Sequence, residues 1–305
     1  MSDTPAPQST RLSILLPFAV VTLIWGSTWL VIRDQLAVVP PGWSVTYRFI
    51  VGGLGMTGWA LVRRDSWRIG GEGALFAVAI GLLQFCANFN FVYQAERFIT
   101  SGLVAVVFAL LLVPNALLAR IFLGQRMGGQ LLAGSAVAMA GVVLLFVHEV
   151  RSDPSGGHTI LAGLGFTLSA ILAASSANVL QATETAKRFP MAPTLAVAMF
   201  AGAALDAALA WTMSGPPRFD PRPSYLAGIL YLGLFASALA FPLYYRVLRV
   251  IGPAKAAYSS VIVPVIAMLL STLFEGYRWS LLAGAGGALA GVGLVIALRA
   301  RRPNR

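Results

Sequence analysis

Apolar residues in this chain run in about ten stretches of roughly 20 residues each, and that length constrains everything else. An α-helix rises 1.5 Å per residue, so about 20 residues cross the roughly 30 Å of hydrocarbon in a bilayer. About two thirds of the 305 residues lie in such stretches, 58% of residues are hydrophobic and only 11% are charged. The mean hydropathy is +0.78, whereas a soluble domain carries roughly 25% charged residues. Inside lipid every backbone polar group must pair internally, which leaves helices or closed barrels. The alternating apolar and polar strands of a barrel are missing. The expected fold is therefore an all-α integral membrane protein.

Charges and Gly/Pro breaks place helices near 12–32, 42–62, 74–94, 99–119, 129–147, 159–181, 192–213, 225–245, 254–273 and 279–298, after a disordered polar tail over 1–11. The first stretch is longer than a signal-peptide core and has no small-residue cleavage site behind it, so it reads as a retained helix. The formal charge of +11 sits at the ends of the stretches rather than in one patch, which suits lipid headgroups and argues against nucleic acid. With the N-terminus in the cytoplasm, 15 Lys and Arg fall in inside segments and 6 outside, with Arg48 left within a helix. That asymmetry predicts two cytoplasmic termini.

A repeat divides the chain. Residues 114–144 laid on 264–294, an offset of 150, give 11 identities in 31 positions, among them Pro114/Pro264, Gly134/Gly284 and Gly141/Gly291. Two homologous halves follow, 1–150 and 151–305. Five helices per half is an odd number, so the second half enters the membrane inverted. Inverted repeats mark alternating-access transporters, whose substrate site lies near the midplane between the halves.

The sequence WGSTW at Trp25 to Trp29, Arg48 and Phe49 early in the second helix, and the block Pro114 to Leu144 with its second copy from Pro264 through Glu275 to Gly291 resemble the EamA branch of the drug/metabolite transporter superfamily. The resemblance covers nearly the whole chain. It implies a ten-helix metabolite exporter of the bacterial inner membrane, related to exporters of aromatic and other amino acids. One departure is plain: where the family carries a glutamate after the fourth helix, this chain has Gln125, while Glu275 is kept in the second copy.

Polar side chains in hydrocarbon face the bundle interior or a watery cavity, because lipid offers them no partner. The third helix sets Gly81, Gln84, Asn88 and Phe91 at helical spacing, and the sixth sets Ser175, Asn178 and Gln181. Ser237, Phe241 and Tyr244 align on the eighth, and Tyr258 and Ser259 precede Pro264. Trp25, Thr28 and Trp29 come from the first helix, and Phe108 and Asn115 from the fourth. Such a set can enclose a flat or zwitterionic metabolite by stacking, cation–π contact and hydrogen bonds; each member can equally serve as interhelical glue. Arg48 either snorkels to headgroups or pairs, or else attracts a substrate carboxylate. Asp206, with no Lys or Arg three or four residues away, either pairs with another helix or takes up a proton for coupling. Pro114 and Pro264 are hinge candidates. Trp43, Trp59 and Trp211 read as an interfacial belt, and the glycines of 284–293 as close-packing sites.

Little else has support. No nucleophile, base and acid cluster is present, so no catalytic residue is expected. The chain holds no Walker lysine motif, and no cofactor is expected. His148, Glu149, Asp153 and His158 read as a hydrated outer loop rather than a metal site, and the single Cys86 as a small core residue. The functional expectation is a secondary exporter of amino acids or similar amphipathic compounds, acting as a monomer in lipid. Efflux of cationic drugs, with Asp206 as anionic site, is the alternative, and an intramembrane enzyme or lipid-handling protein the reading from another class.

Overall fold

Every element follows from the need to close backbone hydrogen bonds within apolar segments. The computed structural model describes residues 8–125, 128–152, 157–256 and 259–298, which form helices and connecting turns with no strand among the described residues. The helices are α1 (Gln8–Gln35) and α2 (Pro41–Val62), then α3, which runs Gly70–Ile80, a π-helical stretch Gly81–Asn88 and Phe89–Ala95. In α4, Ser101–Phe108 and Leu112–Leu123 flank a 3₁₀ turn, Ala109–Leu111. Next come α5 (Gly129–Ser152), α6 (His158–Gln181) and α7 (Met191–Ser214). In α8, Pro223–Leu230 leads into a second π-helical stretch, Tyr231–Leu239, and then Ala240–Ile251. The chain closes with α9 (Ser259–Phe274) and α10 (Leu281–Leu298). Short helices Glu184–Lys187 and Pro253–Ala256 lie in connections.

Seven helical stretches are long and apolar enough to cross a membrane, within α1 and α3 through α8, and two shorter apolar ones, Ile262–Phe274 and Leu281–Ala297, belong to α9 and α10. The 22-residue α2, which carries Arg48, is not among the seven. The outward faces bear large exposed side chains such as Leu75, Leu161, Val265 and Leu281. These faces suit lipid, since an aqueous surface rarely holds so much contiguous apolar area.

Several boundaries differ from expectation. Helix α1 begins at Gln8, inside the stretch expected to be a polar tail, and α8 runs to Ile251 instead of 245. Gly252, at φ +87°, ends α8 and a short helix Pro253–Ala256 follows it, with the ninth long helix described from Ser259. Residues 148–152 finish α5 and His158 starts α6, so they are not a loop; Glu149 accepts a hydrogen bond from the Tyr277 hydroxyl at 2.8 Å. Asp153 lies outside the described residues.

Two helix pairs meet almost backbone to backbone. Gly134 faces Gly293 and Ala297, and Gly141 faces Gly286 and Ala290, so α5 and α10 run antiparallel. A Cβ on Gly293 would lie 2.2 Å from the Ala138 amide nitrogen. Of the glycines in 284–293, Gly286 and Gly293 make this contact, while Gly284 and Gly291 have nothing within 4 Å. Helix α2 packs antiparallel on α7, with Gly42 against Ala210 and Gly53 against Phe200. The buried core lies between these pairs.

Candidate functional site

The two π-helical stretches build the site. A π turn takes an extra residue and leaves backbone carbonyls free for other donors. In α8 the carbonyl of Ala236 accepts from Trp25 Nε1 at 3.1 Å. One residue on, Ser237 Oγ donates to the Leu232 carbonyl at 2.7 Å and accepts from Arg48 Nε at 3.1 Å. Pro242, which has no N–H to continue the ladder, follows directly. The π stretch of α3 packs on α7, where a Cβ at Gly81 would lie 2.6 Å from the Ala198 carbonyl. It turns Gln84 and Asn88 inward together.

The result is a cavity lined by α1, α2, α3, α4, α6, α8 and α9. Its aromatic walls are Trp25, 5.3 Å from the Phe241 ring and 4.9 Å from Tyr244, and Trp29, edge-on to Phe108 at 5.6 Å. The free volume is about 90 Å³, room for several waters. A larger occupant must push the rings aside.

Arg48 is the most unusual wall residue. It is 1% exposed, so the snorkelling expectation is corrected: the side chain stays inside because Ser237 and two rings hold it there. Its guanidinium sits 4.1 Å from the Phe89 ring centroid and 5.4 Å from Phe49, and Nη1 finds no hydrogen-bond partner among the described residues. A charge inside a bilayer costs about 2.5–3.5 kcal/mol on a translocon scale, so a free donor there invites an anionic partner. Trp29 Nε1, Asn88 Oδ1 and the Tyr244 hydroxyl likewise lack partners among the described residues.

Of the residues singled out in the sequence, Trp25, Thr28, Trp29, Gln84, Asn88, Phe108, Asn178, Phe241, Tyr244, Arg48 and Pro264 line this cavity. Others lie elsewhere. Asn115 donates to the Pro253 carbonyl at 3.3 Å and accepts from Asn178 at 3.4 Å, joining α4 to α6. Ser175 is buried in α6 outside the lining, and Gln181 accepts from Arg249 at 2.8 Å. Phe91 packs on Phe166. Ser259 opens α9, and Tyr258 lies outside the described residues. Pro114 follows the 3₁₀ turn of α4, away from the wall. Asp206 is fully buried off the cavity, accepting from Asn90 Nδ2 at 2.5 Å, so it ties α7 to α3. Trp43 is 4% exposed and packs on Tyr47 and Trp211, which removes it from the belt, whereas Trp59 and Trp211 are exposed. A search for polar side chains missed the apolar wall: Ile32, Val92, Ala105 and Val263. For Ile32 and Val92, the spacing of three from Trp29 and of four from Asn88 was the available signal.

Comparison with known proteins gives a consistent setting. The model of the EamA-like transporter family matches residues 12–147 and again 161–299. Protein PagO of Salmonella typhimurium is 25% identical over 271 residues, 88% of each chain. The Escherichia coli protein named uncharacterized inner membrane transporter YedA is 30% identical over 83% of this chain and 80% of its own length. A probable terminal-alkyne amino-acid exporter of Streptantibioticus cattleyicolor is 29% identical over 66% of this chain and 65% of its own. A crystal structure at 20% identity shares the fold with a TM-score of 0.66, covering 94% of this chain and 96% of that one.

Proposed function

The chain belongs to the EamA-like transporter family, and from that premise we propose that it exports amino acids or similar amphipathic carboxylates across the bacterial inner membrane by alternating access. The observation that carries the substrate class is Arg48, buried on the cavity wall with Nη1 free. A carboxylate takes two of its donors, while Asn88 Oδ1 and the Tyr244 hydroxyl are placed to accept from an ammonium group. The aromatic walls take the side chain. One relative's name, a probable terminal-alkyne amino-acid exporter, supports the same class.

The architecture behind this reading is ten helices in two inverted five-helix halves, 1–150 and 151–305, with both termini cytoplasmic. Its supports are the double family match and the 150-residue offset between Gly81 and Tyr231, which open the two π stretches, and between Pro41 and Met191, which open α2 and α7. The antiparallel pairing of α2 with α7 and of α5 with α10 fits helices that are equivalent but inverted. Pro264, on the wall, is the better placed of the two hinge candidates.

Cationic drug efflux requires an anionic wall. The described lining contains Arg48 and no Asp or Glu, and Asp206 lies outside it with Oδ1 on Asn90. Counterflow in proteoliposomes tests the proposal: labelled phenylalanine enters vesicles preloaded with unlabelled amino acids, and Trp25→Ala and Asn88→Ala abolish the signal. Entry driven by cationic dyes but by no amino acid overturns it.

A further inference from the structure

One turn beyond the cavity residues Ile32 and Val92, the ends of α1 and α3 meet the end of α9. Glu96 follows the last residue of α3, is 0% exposed, and has both carboxylate oxygens without a hydrogen-bond partner among the described residues. Glu275 stands beside it, its side chain 8% exposed. Oε2 of Glu275 accepts from Ser101 Oγ at 2.7 Å and from Ser271 Oγ at 2.5 Å, while Oε1 has no hydrogen bond among the described residues. Arg33 is the nearby cation: Nη1 donates to the Glu96 backbone carbonyl, and Nε is 4.0 Å from Glu275 Oε1.

Charge bookkeeping decides what this cluster needs. Within contact distance, two carboxylates meet one half-exposed guanidinium whose Nη1 is spent on a carbonyl, so this contacting set carries one negative charge in a water-poor place, with Arg48 of α2 acting on it only through space. The serines are hydroxyl donors to one acid, and Glu96 has no donor at all. Burial first, and Glu275 second, push the Glu96 carboxyl well above the usual carboxylate range, against the pull of Arg33 and of Arg48 from α2. A single proton neutralises the set.

We propose that Glu96 and Glu275 form a proton-binding pair that latches one mouth of the transport path and couples proton movement to substrate movement. The pair bridges the halves, with Glu96, Arg33 and Ser101 from the first and Glu275 and Ser271 from the second. Closed, the mouth holds one proton against Arg33. When the end of α9 leaves α1 and α4, water reaches Glu96 and takes that proton as hydronium, leaving the carboxylate behind. A second tie crosses between the halves from the same end of α1, where Asp34 meets Arg222 at 3.5 Å, itself paired with Asp220 at 2.7 Å. The device exists at one mouth only. At the 150-residue offset Glu96, Glu275 and Arg33 correspond to Arg246, Gln125 and Thr183, and coupling to a gradient needs such asymmetry between the two ends.

Because coupling rests on the exporter reading, the test has an arm that does not need transport. Infrared difference spectra of the full-length protein in lipid at neutral pH, without substrate, are expected to show a protonated carboxyl C=O band that is lost in Glu96→Gln and survives in Asp206→Asn. Absence of the band, or its loss only in Asp206→Asn, overturns the proton site whatever the protein carries. The transport arm uses phenylalanine with a pH-sensitive dye inside the vesicles. Glu96→Gln and Glu275→Gln are each expected to lower pH-gradient-driven accumulation and its accompanying proton flux by an order of magnitude. Gradient-driven flux and proton flux equal to the unsubstituted protein in both variants overturn the coupling role. Failure of phenylalanine counterflow in the unsubstituted protein, with the infrared band intact, removes the substrate reading alone.

Discussion

Arg48 and Asp206 show how a single charge inside a helix acquires different meanings from its surroundings. Both stand out in the sequence as lone charges in apolar runs, and nothing in the sequence separates them. The structure does, by setting Arg48 on the cavity wall with a free donor and Asp206 behind it against Asn90. A hydrogen bond to a charged group contributes about 1.5–3 kcal/mol, so Arg48→Gln is expected to weaken binding of a carboxylate substrate roughly 10- to 150-fold, read as the half-saturating preload in counterflow. Arg48→Lys recovers only part, because a point charge replaces a fork. Asp206→Asn is expected to leave the pH dependence of flux in place and to lower the thermal midpoint in detergent, since Asp206 Oδ1 accepts from Asn90 between α7 and α3. Loss of gradient dependence in that variant would restore Asp206 as a coupling group. Glu96 escaped notice in the sequence for a physical reason: at a helix end a charge is taken for a boundary marker, and only the approach of α9 buries it.

At the scale of elements, apolar length gave the positions of the helices, but their internal irregularities depend on neighbours. No residue in Gly81–Asn88 or Tyr231–Leu239 announces a π turn. In α8 the irregularity meets Trp25 and Arg48 from other helices, which donate to the Ala236 carbonyl and the Ser237 hydroxyl. The glycine-rich run in α10 read correctly as a packing element, yet which glycines pack is a matter of helix phase. Gly293→Ala, with its new methyl group 2.2 Å from a backbone nitrogen of α5, is expected to cost about 1–3 kcal/mol or more. Gly291→Ala meets nothing within 4 Å and is expected to be neutral or slightly stabilising, because alanine is the better helix former. Thermal unfolding of the two purified variants side by side checks the contrast; equal midpoints would mean that α5 and α10 are not in this contact.

For the whole molecule, the lone Cys86, buried in α3, makes orientation measurable. In a Cys86→Ala background, a membrane-impermeant thiol reagent outside intact cells is expected to label Arg218→Cys and to leave Arg64→Cys untouched until the membrane is permeabilised. The reverse pattern would invert the protein in the membrane. The matched positions Pro114/Pro264 and Gly134/Gly284 are legible in the sequence at a fixed offset, whereas the way the helices clasp each other is not, because contact partners differ from the positions matched by that offset: Gly134 matches Gly284 but touches Gly293. That clasp also orders the protein's birth. Helix α2 waits for α7 and α5 waits for α10, each separated by more than a hundred residues of chain, so the early helices must stay in lipid with their glycine faces uncovered while synthesis continues. Such distant pairings close slowly. Helix α10 supplies the seam that α5 has been missing, and a chain stalled before residue 281 would hold seven apolar spans in the membrane while the α5 glycine face still lacks its partner.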